Sequence, residues 1–147
     1  MNPDVPVCDV NGRPYISEET TGTIQEFAFA GASSYGAAFR GHIRTFGSFK
    51  ALKNALGRAG KGRVWHHIVE QREVNIERFG AHQIHSTGNV VNVSCEVNQK
   101  IADYYSRKRD FAGGRRVREW LTNQSFEDQW EFGMMILELV RQGKPLP

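Results

Sequence analysis

Two adjacent histidines, His66 and His67, sit in the run Trp65-His66-His67-Ile68-Val69-Glu70-Gln71, and Asn89 and Asn98 follow downstream. Successive side chains of an extended segment point to opposite faces, so one imidazole can bind a metal while the other stays unligated. That division suits metal-assisted hydrolysis. A cation polarises the group under attack and stabilises the leaving oxygen, and an imidazole titrating near neutrality takes a proton from water. Adjacent histidines also occur as an ordinary polar patch. What favours a site is the sequel: Asn89 after a Ser-Thr-Gly turn, the apolar residues Val90, Val91 and Val93, and Asn98 at the start of a helical pattern. Glu70 and Gln71 could orient either imidazole, because metal-binding histidines usually donate their second nitrogen to an oxygen. A solvated polar edge is the alternative.

The runs GRVWHHIVEQ, FGAHQIHSTGNVVNV and NQKIADYYS resemble the WHH group of the HNH/endonuclease VII superfamily, nuclease domains at the C-termini of bacterial polymorphic toxins of the rearrangement-hotspot (Rhs) type. The resemblance covers roughly residues 46–143. It implies an α+β fold with a ββα-metal (HNH/His-Me finger) core at about 63–108, with additional helices and an N-terminal arm. It assigns His66 as a metal ligand, His67 as the general base, Asn89 as the asparagine that fixes the loop, and Asn98 as the helix-borne ligand. The family pairs an isoleucine and a histidine before that asparagine, which tilts the reading towards His85 as a further catalytic residue touching phosphate or metal; His82 is expected to be exposed. Many HNH enzymes carry histidine at the last ligand position. The neutral amide oxygen of Asn98 instead favours a hard divalent cation, Mg²⁺ ahead of Zn²⁺, Mn²⁺ or Ni²⁺.

Supporting elements are legible around these residues. Phe49 to Leu56 reads as a short helix with Ser48 as N-cap and Gly57 as its stop. The stretch Gly57 to Gly62 reads as a hinge, since its glycines and two cations lack the P-loop pattern. After the second strand a helix is expected from about Glu96, capped by Ser94, with Asn98 on its first turn. Cys95 is a rival ligand there, but a buried thiol is the commoner role. The last helix should begin at Ser125 and run to about Gln142, ended by Gly143, with Phe126, Trp130, Met134, Leu137 and Val140 at helical spacing. That broad stripe reads as core, or as a surface for a partner.

The remaining composition sets bounds. A chain of 147 residues, 39% hydrophobic and 24% charged, is one globular domain, here divided into an arm at 1–45 packed on a nuclease domain at 46–147. In the arm, Val7 to Ile16 could form a hairpin around Asn11-Gly12, although Pro14 opposes it. Its phenylalanines argue against a dangling tail. Cys8 and Cys95 form neither a disulfide framework nor a zinc spacing, and a bridge between them stays open. No membrane-spanning run or signal peptide is visible, so delivery is expected to depend on something else.

Net charge is +3 overall, but the first 45 residues hold three arginines against five carboxylates. The cationic surface therefore shares the histidines' part of the chain, as a phosphate backbone would require. Arg107, Lys108, Arg109, Arg115 and Arg116 form a candidate phosphate track. Arg118 extends it or else pairs with a carboxylate in the scaffold. Backbone grip without base readout predicts little sequence preference. Together with the resemblance, these readings lead to an endonuclease acting on DNA, with RNA as the alternative substrate and a binding module that has lost turnover as the alternative class. The expected partners are a cognate immunity protein and the parent toxin. The parent would carry the domain out of the producing bacterium, by secretion or injection, into the target cell's cytoplasm, with no membrane partner.

Overall fold

The computed structural model describes residues 43–147. The readings made for the arm, namely the hairpin, its packing and Cys8, lie outside them. The described chain is α+β: a two-stranded antiparallel sheet with helices on both faces. Strand β1, Arg63–His67, pairs with β2, Val90–Ser94, so that His66 faces Val91 and Trp65 faces Asn92.

Alternation along these strands sorts the side chains into two clusters. On one face Val91 and Val93 join Ile101, Tyr104, Tyr105, Phe126, Trp130, Ile136 and Leu137 in the larger core. On the other, Trp65 and Val90 meet Leu52 and Ala59, with Phe46, Phe49 and Leu56 at the margin. Each fully buried aliphatic or aromatic side chain contributes about 1.5–3 kcal/mol, so both faces hold the strands in register.

Helix α1, Phe49–Leu56, covers the smaller cluster. Ser48 Oγ accepts from Ala51 N at 3.1 Å, and Gly57, at φ 81°, donates its N–H to Lys53 O. The expected cap, span and stop all appear. Two short helices, α2 at Glu73–Phe79 and α3 at Ala81–Ile84, occupy the stretch that reads in sequence as a long loop. Neither has a side-chain N-cap, and seven and four residues are too few to show a helical period. Tertiary contacts hold them: Asn75 and Ile84 are buried, Asn75 Nδ2 donates to Glu70 O at 2.9 Å, and Arg78 donates to Thr122 O and Gln124 O.

Helix α4, Cys95–Tyr105, follows β2 without a loop. Ser94 caps it by accepting from Val97 N at 3.1 Å. Helix α5, Val117–Leu121, precedes α6, Phe126–Arg141, whose N-cap Ser125 accepts from Asp128 N at 3.1 Å. Helix α6 presses close to the end of β1 because Gly133 has no side chain; a Cβ there would stand 2.7 Å from Ile68 O. Trp130 Nε1 donates to Gly88 O at 3.0 Å, tying α6 to the turn before Asn89. Among the described residues no helix is long and apolar enough to cross a membrane.

Candidate metal and nucleic-acid site

The two histidines of β1 point to opposite faces of the sheet. His66 turns towards α4, where its Nδ1 stands 2.9 Å from Asn98 Oδ1. His67 turns towards α1, where the ring of Phe49 meets it edge-on at 4.6 Å between centroids. Direct succession of β2 and α4 explains how Asn98 arrives: a helix beginning at Cys95 places its fourth residue one turn up, over the strand pair.

His66 Nδ1 and Asn98 Oδ1 stand at hydrogen-bond distance, so the fold sets a ring nitrogen and an amide oxygen, two possible ligand atoms, side by side. Among the described residues no group of three or more His, Cys, Asp or Glu side chains gathers to complete a protein-only metal cage. Cys95 is buried at the first residue of α4.

His67 is buried, and His85 lies beside it with Nδ1 3.2 Å from His67 Nε2 and the rings T-shaped at 5.3 Å. Desolvation, followed by the charges His85 and His66 would carry, holds His67 down at about 3. Burial also lowers His85. Both rings are therefore neutral at physiological pH. One donates N–H and the other accepts, and His67 Nδ1 is the nitrogen not engaged by His85. Thus the structure brings His85 to His67; no described contact places it on His66. Burial pushes His66 below the ordinary histidine range; its hydrogen bond to Asn98 opposes that, and the charge of Arg141 reinforces it.

Asn89 is wholly buried and every polar atom of its amide is bound to main chain. Its Oδ1 accepts from Val69 N at 2.9 Å, while Nδ2 donates to Val69 O and Ile84 O, both at 3.0 Å. Its own carbonyl accepts from Ile68 N at 2.8 Å. The residue fixes the segment leaving His67 against the segment that delivers His85. It has no atom left for a substrate, so it acts by positioning.

Glu70 turns away from the histidines. Its Oε1 lies 3.1 Å from Arg118 Nη2, and burial raises its pKa against the opposing charges of Arg118 and Arg72. Arg118 is thereby a scaffold residue, also reaching Ala102 O at 3.4 Å. Gln71 is exposed. His82 is exposed too, with Nδ1 3.3 Å from Thr45 Oγ1.

The basic cluster is closed into a pinched loop. Val117 N donates to Arg107 O at 3.0 Å and Arg109 N to Arg115 O at 3.1 Å, with Lys108 directly opposite Arg116. In such a narrow pair the side chains leave on the same face, and like charges there are destabilising until an anion relieves them. Arg107, Lys108, Arg115 and Arg116 are exposed, while Arg109 lies half-buried with its guanidinium 5.2 Å from the Tyr104 ring centre.

Arg141 escaped the sequence reading. From the last turn of α6 its Nη2 donates to Asn92 O at 3.4 Å, and its charge bears on His66. Arg63 Nη2 reaches the same carbonyl at 3.2 Å. The only sequence signal was an arginine at the end of an amphipathic helix, where a dipole-complementing surface role is the ordinary expectation. No family model matches the chain, and no curated protein or solved structure matches it either.

Proposed function

We propose that the protein is a metal-dependent endonuclease with a ββα-metal core, formed by β1, β2 and α4, that hydrolyses DNA phosphodiesters with little sequence preference. The carrying observation is the division of the histidine pair, with His66 beside Asn98 on one face and His67 beside His85 on the other. His66 and Asn98 would hold a divalent cation, Mg²⁺ foremost, which supplies charge stabilisation to the crowded phosphate and the departing oxygen.

His67 accepts the proton of the attacking water at Nδ1. This role requires His67 Nε2–H to donate to His85 Nδ1, which leaves the lone pair on His67 Nδ1 to take the proton. Asn89 holds both segments in place. Arg141, reaching in beside His66, steadies phosphate charge as it builds. The basic loop grips the strand at backbone oxygens, which carry no sequence information. Attack by water needs no 2′-hydroxyl, which favours DNA over RNA. The resemblance to polymorphic-toxin nucleases adds the biological setting: an effector domain of a larger Rhs-type protein, restrained by a cognate immunity protein and acting in the target cell's cytoplasm.

One observation favours a second reading, a nucleic-acid-binding module of the same architecture without turnover. His67 is buried under Phe49 and held at about 3, which makes it a weak base. Supercoiled plasmid incubated with Mg²⁺, with and without chelator, separates the two. Nicking that the chelator abolishes supports the nuclease; binding without nicking in any divalent metal supports the module.

A further inference from the structure

The tip of the basic loop carries an aromatic ring that phosphate gripping does not use. Phe111 is 43% exposed, one of only two large hydrophobic side chains in the described chain that face solvent to this degree. It lies in a 3₁₀ turn, Asp110–Ala112, between Arg109 and Arg115. The turn is anchored from below. Ala112 is wholly buried, Ala112 N donates to Arg109 O at 3.1 Å, and Gly113 and Gly114, at φ 65° and 73°, bring the chain back to the pinch.

The ring is braced as well as displayed. Trp120 meets Phe111 edge-on at 5.2 Å and Phe132 stands 6.1 Å away, the two supporting rings being 5.5 Å from one another. A ring held on one side and open on the other has little freedom to lose when something stacks on it. Exposed cations lie on both sides of it in the chain. Cations that track a sugar-phosphate backbone beside a rigid aromatic platform are the combination by which unpaired bases are held, since every base presents a π-face. A paired duplex keeps its bases stacked inside and offers the same cations only its phosphates.

We infer that Phe111 is a stacking platform for an unpaired base, so that the basic loop binds single-stranded or locally opened nucleic acid in preference to intact duplex. Helix α4 joins this loop to Asn98. Its rise from Asn98 to Ser106 is about 12 Å, which sets the separation along the helix between the loop and the His66–Asn98 pair. The inference rests on the nucleic-acid reading of the basic loop and adds to it the form of the substrate.

The test is fluorescence anisotropy on the full chain in excess chelator, so that cleavage plays no part. The probes are a labelled oligothymidylate and a labelled duplex of mixed sequence. Phe111→Leu keeps apolar packing on Trp120 and removes the π-face; Phe111→Trp keeps the face; thermal melting confirms that each variant is folded. Phe111→Leu is expected to weaken oligothymidylate binding about 5- to 100-fold, the loss of one stacked base, and duplex binding less than about 2-fold, with Phe111→Trp close to the parent. Equal losses on both probes, or none on either, would overturn the stacking role while leaving the basic loop as a phosphate track. A parent protein that binds neither probe would overturn the nucleic-acid reading itself, and with it this inference.

Discussion

Replacing Asn89 with alanine removes three hydrogen bonds at a stroke. Val69 N–H, Val69 C=O and Ile84 C=O each lose their partner, in a place where Val69 and Ile84 are as buried as Asn89. A buried main-chain group left unsatisfied costs about 1–3 kcal/mol, so the three together cost about 3–9 kcal/mol before any water enters. Against the 5–15 kcal/mol typical of a domain, the variant should fold marginally. At roughly 2–4 °C per kcal/mol for a chain of this size, the melting temperature should fall by at least about 6 °C. Circular dichroism melts of the parent, Asn89→Ala and Asn98→Ala measure this directly. Asn98 is half-buried and its only described partner is His66, so its loss should stay within about 0.5 kcal/mol, or about 2 °C. Asn89→Asp should be destabilised as well, since a carboxylate oxygen would face two carbonyls, and should recover partly on acidification as the carboxyl regains a proton to donate. An Asn89→Ala protein that melts within 2 °C of the parent would refute the view that this side chain holds the loop.

Further outcomes follow from single contacts. Gly133→Ala would gain about 1 kcal/mol of helix propensity on an open surface, yet here the new methyl meets Ile68 O at 2.7 Å; we expect a lower melting temperature and weaker cleavage, and a stabilised, fully active variant would contradict the close approach. In chelator, stability should decline as pH falls below about 6.5. His67 and His85 have folded pKa values below the unfolded value, so in this range the unfolded chain binds more protons and the slope is about 1.4 kcal/mol per pH unit for each group that remains neutral when folded. For His67 that window extends down to about 3; denaturant midpoints at pH 7.5, 6 and 5 would show it, and a flat profile would deny the buried pair. Neutralising Lys108 and Arg116 together should weaken binding alike for unrelated DNA sequences and flatten the salt dependence by about one unit of slope per lost phosphate contact. An unchanged slope with a lowered melting temperature would return the pair to the scaffold.

Much of the frame was legible because its signals are local. Ser48, Ser94 and Ser125 each announce a helix start by a hydroxyl that caps it, and Gly57 and Gly143 mark ends through positive φ. The opposite facing of His66 and His67 follows from strand alternation alone. What escaped was set by distant contacts. Helices α2 and α3 are too short to have a period and are held by Asn75, Arg78 and Ile84 meeting residues some 40 or more positions away or inside the core. Glu70 reads beside the histidines in sequence as their natural support, yet Arg118, 48 positions on, captures its carboxylate. Two glycines break the basic run in sequence; the antiparallel pinch that closes it depends on backbone pairing invisible to composition. Arg141 becomes relevant only once α6 is laid across α4 and β2.

The division of labour between the histidines is best tested by measuring Mn²⁺ binding and plasmid cleavage on His66→Ala and His67→Ala side by side. His66→Ala is expected to lose both metal binding and cleavage. His67→Ala should bind metal and DNA like the parent while cleavage drops by about 10²–10⁴-fold, the contribution of a positioned general base. Loss of metal binding in His67→Ala with retention in His66→Ala would show the two roles to be the reverse of those proposed.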